Sequence, residues 1–223
     1  MYVTGTMAKS HRATKWKFGK MERQWQALLI GFVGLLAGCA TAPPQNPNNL
    51  CEIFAENPQW YAAAQAAESR WRTPVAVQMA IMRHESSYRH NARPPRRYYL
   101  GFIPGSRPSS AYGYSQAIDG TWVWYQESTG RRGASRRNFS DAVDFIAWYV
   151  DRSHAMLGIS HQDAYRQYLA YHEGHGGYRR ATYQQKAWLM SYAREVAATS
   201  GRYAGQLRQC EELLRGGGRR WLW

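Results

Sequence analysis

"TPVAVQMAIMRHESSY", Thr73–Tyr88, decides how the rest of the chain is read. Thr73 followed by Pro74 is a helix-start signal, because proline's fixed φ and missing N–H suit a first helical turn. Val75, Met79 and Met82 then recur at helical spacing, so one face of the segment is apolar and belongs in a core. Glu85 stands eleven residues after Pro74, about three turns on, at the C-terminal end of the predicted helix. It shares a face with Gln78, Ile81 and Met82, a setting that disfavours the ionised carboxylate and raises its pKa. A general acid working at neutral pH needs such a shift. Against this, a lone helix-end carboxylate is ordinarily solvated, and Arg83 and His84 would favour its charge if they lay close. The stretch by itself leaves both readings open.

Outward from it the chain reads as helical. Asn57 and Pro58 form another start signal, with Trp60, Ala64, Ala67 and Trp71 following at helical spacing. Ser140 opens a helix with Val143, Ile146, Ala147 and Val150 apolar, ending near Gly158. Ser160 with Asp163 makes a start resembling a capping box, for a helix running to Tyr171 or His172 before Gly174. Two more helices are predicted over 183–199 and 202–214. No run alternates as a strand would, and no internal repeat is present. The fold class is therefore mainly α, with long loops at 88–112 and 129–139. A chain of 223 residues, 44% hydrophobic and 14% aromatic, can bury a real core, which excludes disorder.

Residues 1–38 read as a targeting segment. Lys15, Lys17, Lys20 and Arg23 precede an apolar run, Ala27 to Ala37, too short to span a bilayer as a stable helix. Met21 opens a stretch that is a complete signal by itself. The run ends "LLAGCA", which resembles the lipobox of bacterial lipoproteins and marks Cys39 as the lipidated first residue of the mature chain; a plain cleaved secretory signal is the alternative. Ala40 in the next position, by resemblance to Gram-negative lipoproteins, favours a periplasmic protein anchored to the outer membrane. The expected layout is a signal at 1–38, a Pro/Asn linker at 39–50, a domain at 51–214 and a flexible basic tail at 215–223. Beyond residue 38 there are 23 basic and 14 acidic residues, a net charge of +9, and the sole lysine among them is Lys186. Arginine-borne charge suits planar anions such as carboxylate and phosphate. An exported protein meets little nucleic acid, so no nucleic-acid partner is expected. With Cys39 lipidated, Cys51 and Cys210 remain as a pair in an oxidising compartment, where a disulfide is expected ahead of two buried thiols.

Three stretches then converge. "TPVAVQMAIMRHESSY" resembles the catalytic helix of the soluble lytic transglycosylase family, in which a glutamate followed by serine ends a helix. "AYGYSQA", Ala111–Ala117, is similar to the family's Gly-Leu-Met-Gln motif at Gly113 and Gln116. "LAYHEGHGGY", Leu169–Tyr178, is similar to its Ala-Tyr-Asn-Ala-Gly motif at Ala170, Tyr171 and Gly174. The resemblance covers about Arg72 to Tyr178. It implies a goose-type, lysozyme-like helical domain with long loops around a glycan cleft, peptidoglycan glycan strands as substrate, Glu85 as the sole catalytic carboxylate and no cofactor. Substrate contacts are expected from Ser86, Gly113, Tyr114, Ser115, Gln116, Tyr171, His172 and Glu173. The departures are Tyr114 and Ser115 for Leu and Met, His172 and Glu173 for Asn and Ala, and an insertion, "RPPRRYYLGFIPGSRPSS", between Glu85 and Gln116.

The chemistry of these residues agrees with that implication. Gln116 and Ser86 can hydrogen-bond sugar hydroxyl or N-acetyl groups, and Tyr171 can hold the Glu85 carboxyl or the acetamido oxygen. Tyr98, Tyr99 and Phe102 of the insertion offer flat faces for sugar rings, although such residues often pack on their own domain. "HEGH", His172–His175, has the wrong spacing for the metalloprotease helix, so no metal is expected. Glu173 is the nearest candidate for a second carboxylate and Asp119 a weaker one, its neighbour Gly120 suggesting a turn or helix start. Glu173 is otherwise read as a rim residue paired with Arg179 or Arg180. The expected function is peptidoglycan lytic transglycosylase, cleaving the MurNAc–GlcNAc β-1,4 bond with formation of a 1,6-anhydro end and held to the membrane by the lipid on Cys39. The rivals are a muramidase hydrolysing the same bond, a non-catalytic peptidoglycan-binding lipoprotein and, behind both, a basic nucleic-acid binder.

Overall fold

The computed structural model describes residues 42–216. The expected signal segment, the lipidation of Cys39 and the tail beyond residue 216 lie outside the described residues. These form seven α-helices: α1 Leu50–Glu56, α2 Pro58–Trp71, α3 Val75–Ser86, α4 Asp119–Thr129, α5 Phe139–Leu157, α6 Ala164–Arg179 and α7 Ala187–Arg215. A 3-10 turn, Thr182–Gln185, precedes α7, and the insertion carries an antiparallel hairpin of β1 Tyr98–Tyr99 and β2 Ile103–Pro104. The fold is mainly α, as expected.

α3 is the central element. Every residue from Val75 to Met82 is buried, because α2, α5 and α7 all pack on this helix. Burial of so many apolar side chains at about 1.5–3 kcal/mol each outweighs its modest helix propensity. The donors inside are bonded: the Gln78 amide nitrogen donates to the Thr73 and Ala64 carbonyls at 2.7 and 3.2 Å, and the Thr73 hydroxyl donates to the Ala147 carbonyl of α5 at 2.9 Å. Two consecutive left-handed residues, Ser87 (φ 51°) and Tyr88 (φ 60°), stop α3 just past Glu85. Their strain is offset by the buried Tyr88 ring, whose hydroxyl lies 3.1 Å from both the Met79 carbonyl and the Tyr203 hydroxyl.

Asp144 of α5 ties the surrounding helices together. It accepts from Arg70 and Trp71 of α2, and from Tyr125 of α4 at 2.7 Å, with Arg131 at 3.3 Å. An aromatic cluster covers the other end of α2, with Trp60 stacked on Phe139 at 4.1 Å and Tyr114 set edge-on against Trp60.

Several boundaries differ from the sequence reading. The two helices predicted over 183–199 and 202–214 are one: Leu189, Ala193, Val196, Tyr203 and Cys210 bury a continuous face, which outweighs the helix penalty at Gly201. Asp163 is itself the N-cap of α6, accepting from the Arg166 N–H at 3.0 Å, and this helix continues beyond Gly174 after a kink. The Pro/Asn segment is no free linker from Pro44 onward. Pro44 and Leu50 are buried, the Tyr203 hydroxyl donates to the Pro47 carbonyl, and Gln206 bonds both Leu50 N–H (2.8 Å) and the Asn48 carbonyl (3.1 Å). The packed domain thus begins ahead of residue 51. Cys51 and Cys210 form a disulfide with Cα atoms 6.0 Å apart, fastening α1 to α7.

Candidate active site

A cleft of about 480 Å³ opens where α3 ends, lined by Glu85, Ser109, Ala111, Gln116, Ala117, Ile118, Thr121, Phe145, Tyr149, Tyr171, His172, Glu173 and Gly174. The three stretches singled out in the sequence therefore meet in space. Glu85 forms part of the lining from the last turn of α3, where the helix's negative end disfavours a further negative charge. Protein surrounds its carboxyl, and burial pushes its pKa from 4.5 up to about 7, opposed by a hydrogen bond from the Tyr168 hydroxyl. The side chain keeps some access to water through the cleft. That access works against the shift.

The neighbouring cations do not compensate Glu85. Arg83 donates to the Ser87 hydroxyl at 3.0 Å, and His84 lies 3.0 Å from the Thr199 hydroxyl on α7. Both line a separate hollow with Tyr192, Glu195 and Arg202. Burial, followed by the charge of Arg83, lowers the His84 pKa, which favours a neutral ring.

The second stretch is a tight loop closed by a bridge between Tyr112 and Ala117. Gly113 has φ 74°, and a Cβ there would sit 2.1 Å from the Arg136 carbonyl, so a side chain fits neither the dihedral nor the space. Gln116 donates from its amide nitrogen to the Ala92 and Gly113 carbonyls at 3.0 and 2.8 Å, which leaves its side-chain oxygen as the group able to accept from a ligand. The Tyr171 hydroxyl donates to the Ser115 carbonyl at 2.6 Å, locking this loop to α6.

The third stretch bends at Gly174 (φ 72°, ψ 159°), a conformation essentially reserved for glycine. The bend separates the two histidines of "HEGH". His172 lies beside Glu173 and Trp188 at the cleft, whereas His175 is buried 3.0 Å from the Ser153 hydroxyl and stacked on Tyr149. Glu173 is held by Lys186 at 2.7 Å, by the Thr182 hydroxyl and by His172 at 3.0 Å, and its side chain is 4% exposed. Burial would raise its pKa, but these three donors outweigh it and hold the carboxyl down at about 2. The partner is thus Lys186 where Arg179 or Arg180 was expected, and Glu173 is an anion fixed at the cleft wall.

Not every expected contact reaches the cleft. Ser86 is buried and donates back to the Met82 carbonyl at 3.3 Å. Tyr114 belongs to the aromatic core against Trp60 and Phe139. Ser115 is buried and enters the site through its carbonyl alone. Tyr171 lines the cleft but spends its hydroxyl on Ser115, so the expected bond to Glu85 comes from Tyr168 instead. Tyr168 lies one turn before Tyr171, and that i, i+3 spacing was the available signal for it. Tyr149 and Phe145 also escaped the sequence reading, because in α5 they continue an apolar face like any other core residues.

A comparison with protein-family models matches residues 27–210 to one described as "Transglycosylase SLT domain", a span that takes in the entire cleft. No curated protein matches the chain.

Proposed function

The chain belongs to the transglycosylase SLT domain family, whose activity is directed at peptidoglycan, and from that premise we propose that it is a lytic transglycosylase that cleaves the MurNAc–GlcNAc β-1,4 bond with Glu85 as its one acid and base. The observation that carries this reading is the contrast between the two carboxylates lining the cleft. Glu85 sits at the cleft wall with Arg83 and His84 both turned to other partners, and burial pushes its pKa up to about 7, which leaves it able to hold a transferable proton near neutral pH. Glu173 is bonded by Lys186, Thr182 and His172, which hold its carboxyl down at about 2 as an anion. Glu85 protonates the glycosidic oxygen as the C1–O bond breaks, and an oxocarbenium-like muramyl cation develops. The resulting Glu85 carboxylate then takes the proton from that sugar's own 6-hydroxyl as its oxygen closes on C1, giving the 1,6-anhydro ring and regenerating the acid. No water is consumed. The Tyr168 hydroxyl orients the carboxyl and supports its charged form midway through this cycle, and the Gln116 side-chain oxygen is available to a sugar hydroxyl or amide N–H.

A hydrolase would need a second carboxylate able to activate water or attack C1. Glu173 suits neither task, since three donors occupy its oxygens and a carboxyl at about 2 is a weak base. Glu173→Gln is expected to retain murein cleavage within about tenfold and to yield the same 1,6-anhydromuramyl ends; the loss in kcat/KM reflects disturbance of His172 and Lys186 at the cleft wall. Abolished cleavage, with reducing ends from the parent, would support the muramidase reading. Lipidation at Cys39 and placement at the outer membrane form part of the same proposal, supported by the lipobox alone. A Cys39→Ala protein should then leave the membrane fraction.

A further inference from the structure

Five apolar residues within six positions, Tyr98, Tyr99, Leu100, Phe102 and Ile103, are exposed on the hairpin of the insertion, Leu100 at 82% and Phe102 at 73%. The hairpin is built to hold them out. Tyr98 pairs with Pro104 and Tyr99 with Ile103, and the apex turns through two left-handed residues, Leu100 (φ 52°) and Gly101 (φ 80°). At the base the Gly105 N–H donates to the Arg97 carbonyl at 2.7 Å, and the Arg107 guanidinium donates to the Pro94 carbonyl. Gly105 makes room for the Tyr99 ring, whose nearest carbon lies 2.7 Å from where a Cβ would stand. Apolar side chains fixed in water at the tip of a braced hairpin mark a surface for a partner.

Charge and composition narrow the partner. Between Glu85 and Asp119 the chain carries five arginines and no acidic residue. Arg93 lies over the Tyr112 ring and Arg107 braces the base, while Arg96 and Arg97 are exposed below the apex. From Pro94 to Gly105 the polar side chains are two guanidinium groups and two tyrosine hydroxyls, with no Asn, Gln, Asp or Glu to bond sugar hydroxyls. The most exposed of its apolar residues is the aliphatic Leu100, which has no ring face for a sugar to stack on. An aliphatic and aromatic tip, a tyrosine belt and an arginine collar match the layers of an anionic bilayer interface.

We propose that this hairpin docks the protein on an anionic phospholipid surface, with Leu100, Phe102 and Ile103 entering the acyl boundary, Tyr98 and Tyr99 at headgroup depth, and Arg96 and Arg97 on lipid phosphates. Among the described residues no helix is long and apolar enough to cross a membrane, so this contact is interfacial. The limb that follows β2 leads to Ser109 and Ala111 of the cleft wall, so docking couples the cleft to the bilayer whatever reaction the cleft performs.

The test is co-sedimentation of the chain from residue 40 onward, which carries neither the apolar run at 27–37 nor an acyl chain, with vesicles of phosphatidylglycerol and phosphatidylcholine or of phosphatidylcholine alone. Leu100→Asp with Phe102→Asp is expected to weaken partition to the anionic vesicles by about tenfold or more. Arg96→Ser with Arg97→Ser should weaken it only when phosphatidylglycerol is present, and added salt should do the same to the parent. Partition unchanged by either pair would overturn the proposal. So would a Leu100→Asp, Phe102→Asp protein that keeps its vesicle binding but loses retention on purified murein, which would make the hairpin a glycan platform.

Discussion

Murein cleavage by Glu85→Gln should fall by about 10³-fold or more, since amide replaces the group that both donates and removes the proton. The same substitution should stabilise the fold on the alkaline side. With a folded pKa near 7 against an ordinary 4.5, the folded state keeps the Glu85 proton through a window in which the unfolded chain has already lost it. The stability linked to this group is complete below about 4.5 and declines as pH rises through about 7, by at most about 3 kcal/mol and by less to the extent that cleft water solvates the carboxylate. A glutamine is neutral throughout. Melting curves of parent and variant should therefore coincide near pH 4 and separate by pH 8, with the variant higher. Activity of the parent should decline over the same window as the acid deprotonates. This pairing of lost activity with gained alkaline stability separates a catalytic glutamate from a structural one, whose loss would lower both. Cleavage within a few-fold of the parent, measured on purified murein, would end the assignment.

Removing the disulfide carries the second large effect. Cys51 and Cys210 are 159 residues apart in sequence, so on the loop-entropy account the bridge contributes about 4 to 5 kcal/mol by restricting the unfolded chain. Cys51→Ser with Cys210→Ser should still fold, because Leu50 is fully buried and Gln206 hydrogen-bonds both Leu50 and Asn48. Its denaturant midpoint should drop sharply, while the slope rises as the unfolded state expands. A midpoint unmoved by the double substitution, or by reduction of the parent, would mean that the contacts between α1 and α7 hold the two ends without the bridge.

The backbone of the site was more legible in the sequence than its inward-facing side chains. Pro74 and the Val75, Met79, Met82 spacing located α3, and hence the place of Glu85, because a three-turn apolar face admits few alternatives. Gly113 and Gly174 stood out as motif matches, and both have positive φ. Positive φ also scrambles a simple alternation of faces, so between Gly113 and Gln116, itself at φ 51°, the bulky Tyr114 turned into the core while Gln116 reached the cleft. The bond from Tyr168 to Glu85 depends on how α6 rolls against α3, a tertiary fact that helical spacing in one segment does not encode. Nor could local sequence pair Glu173 with Lys186, thirteen residues away, across the kink at Gly174 and the turn before α7. Gly201 misled in the opposite direction, since helix-breaking propensity is a weak force beside the buried face of α7.

The central claim is that the muramyl cation is captured by its own hydroxyl under the control of a single carboxylate. Digestion of purified murein in water enriched in heavy oxygen, followed by mass spectrometry of the released muropeptides, tests it most directly. The account predicts products lighter by one water than those of a hydrolase, with no heavy oxygen at the muramyl C1. Reducing ends that carry the heavy oxygen at C1 would show that water completes the reaction and would contradict it.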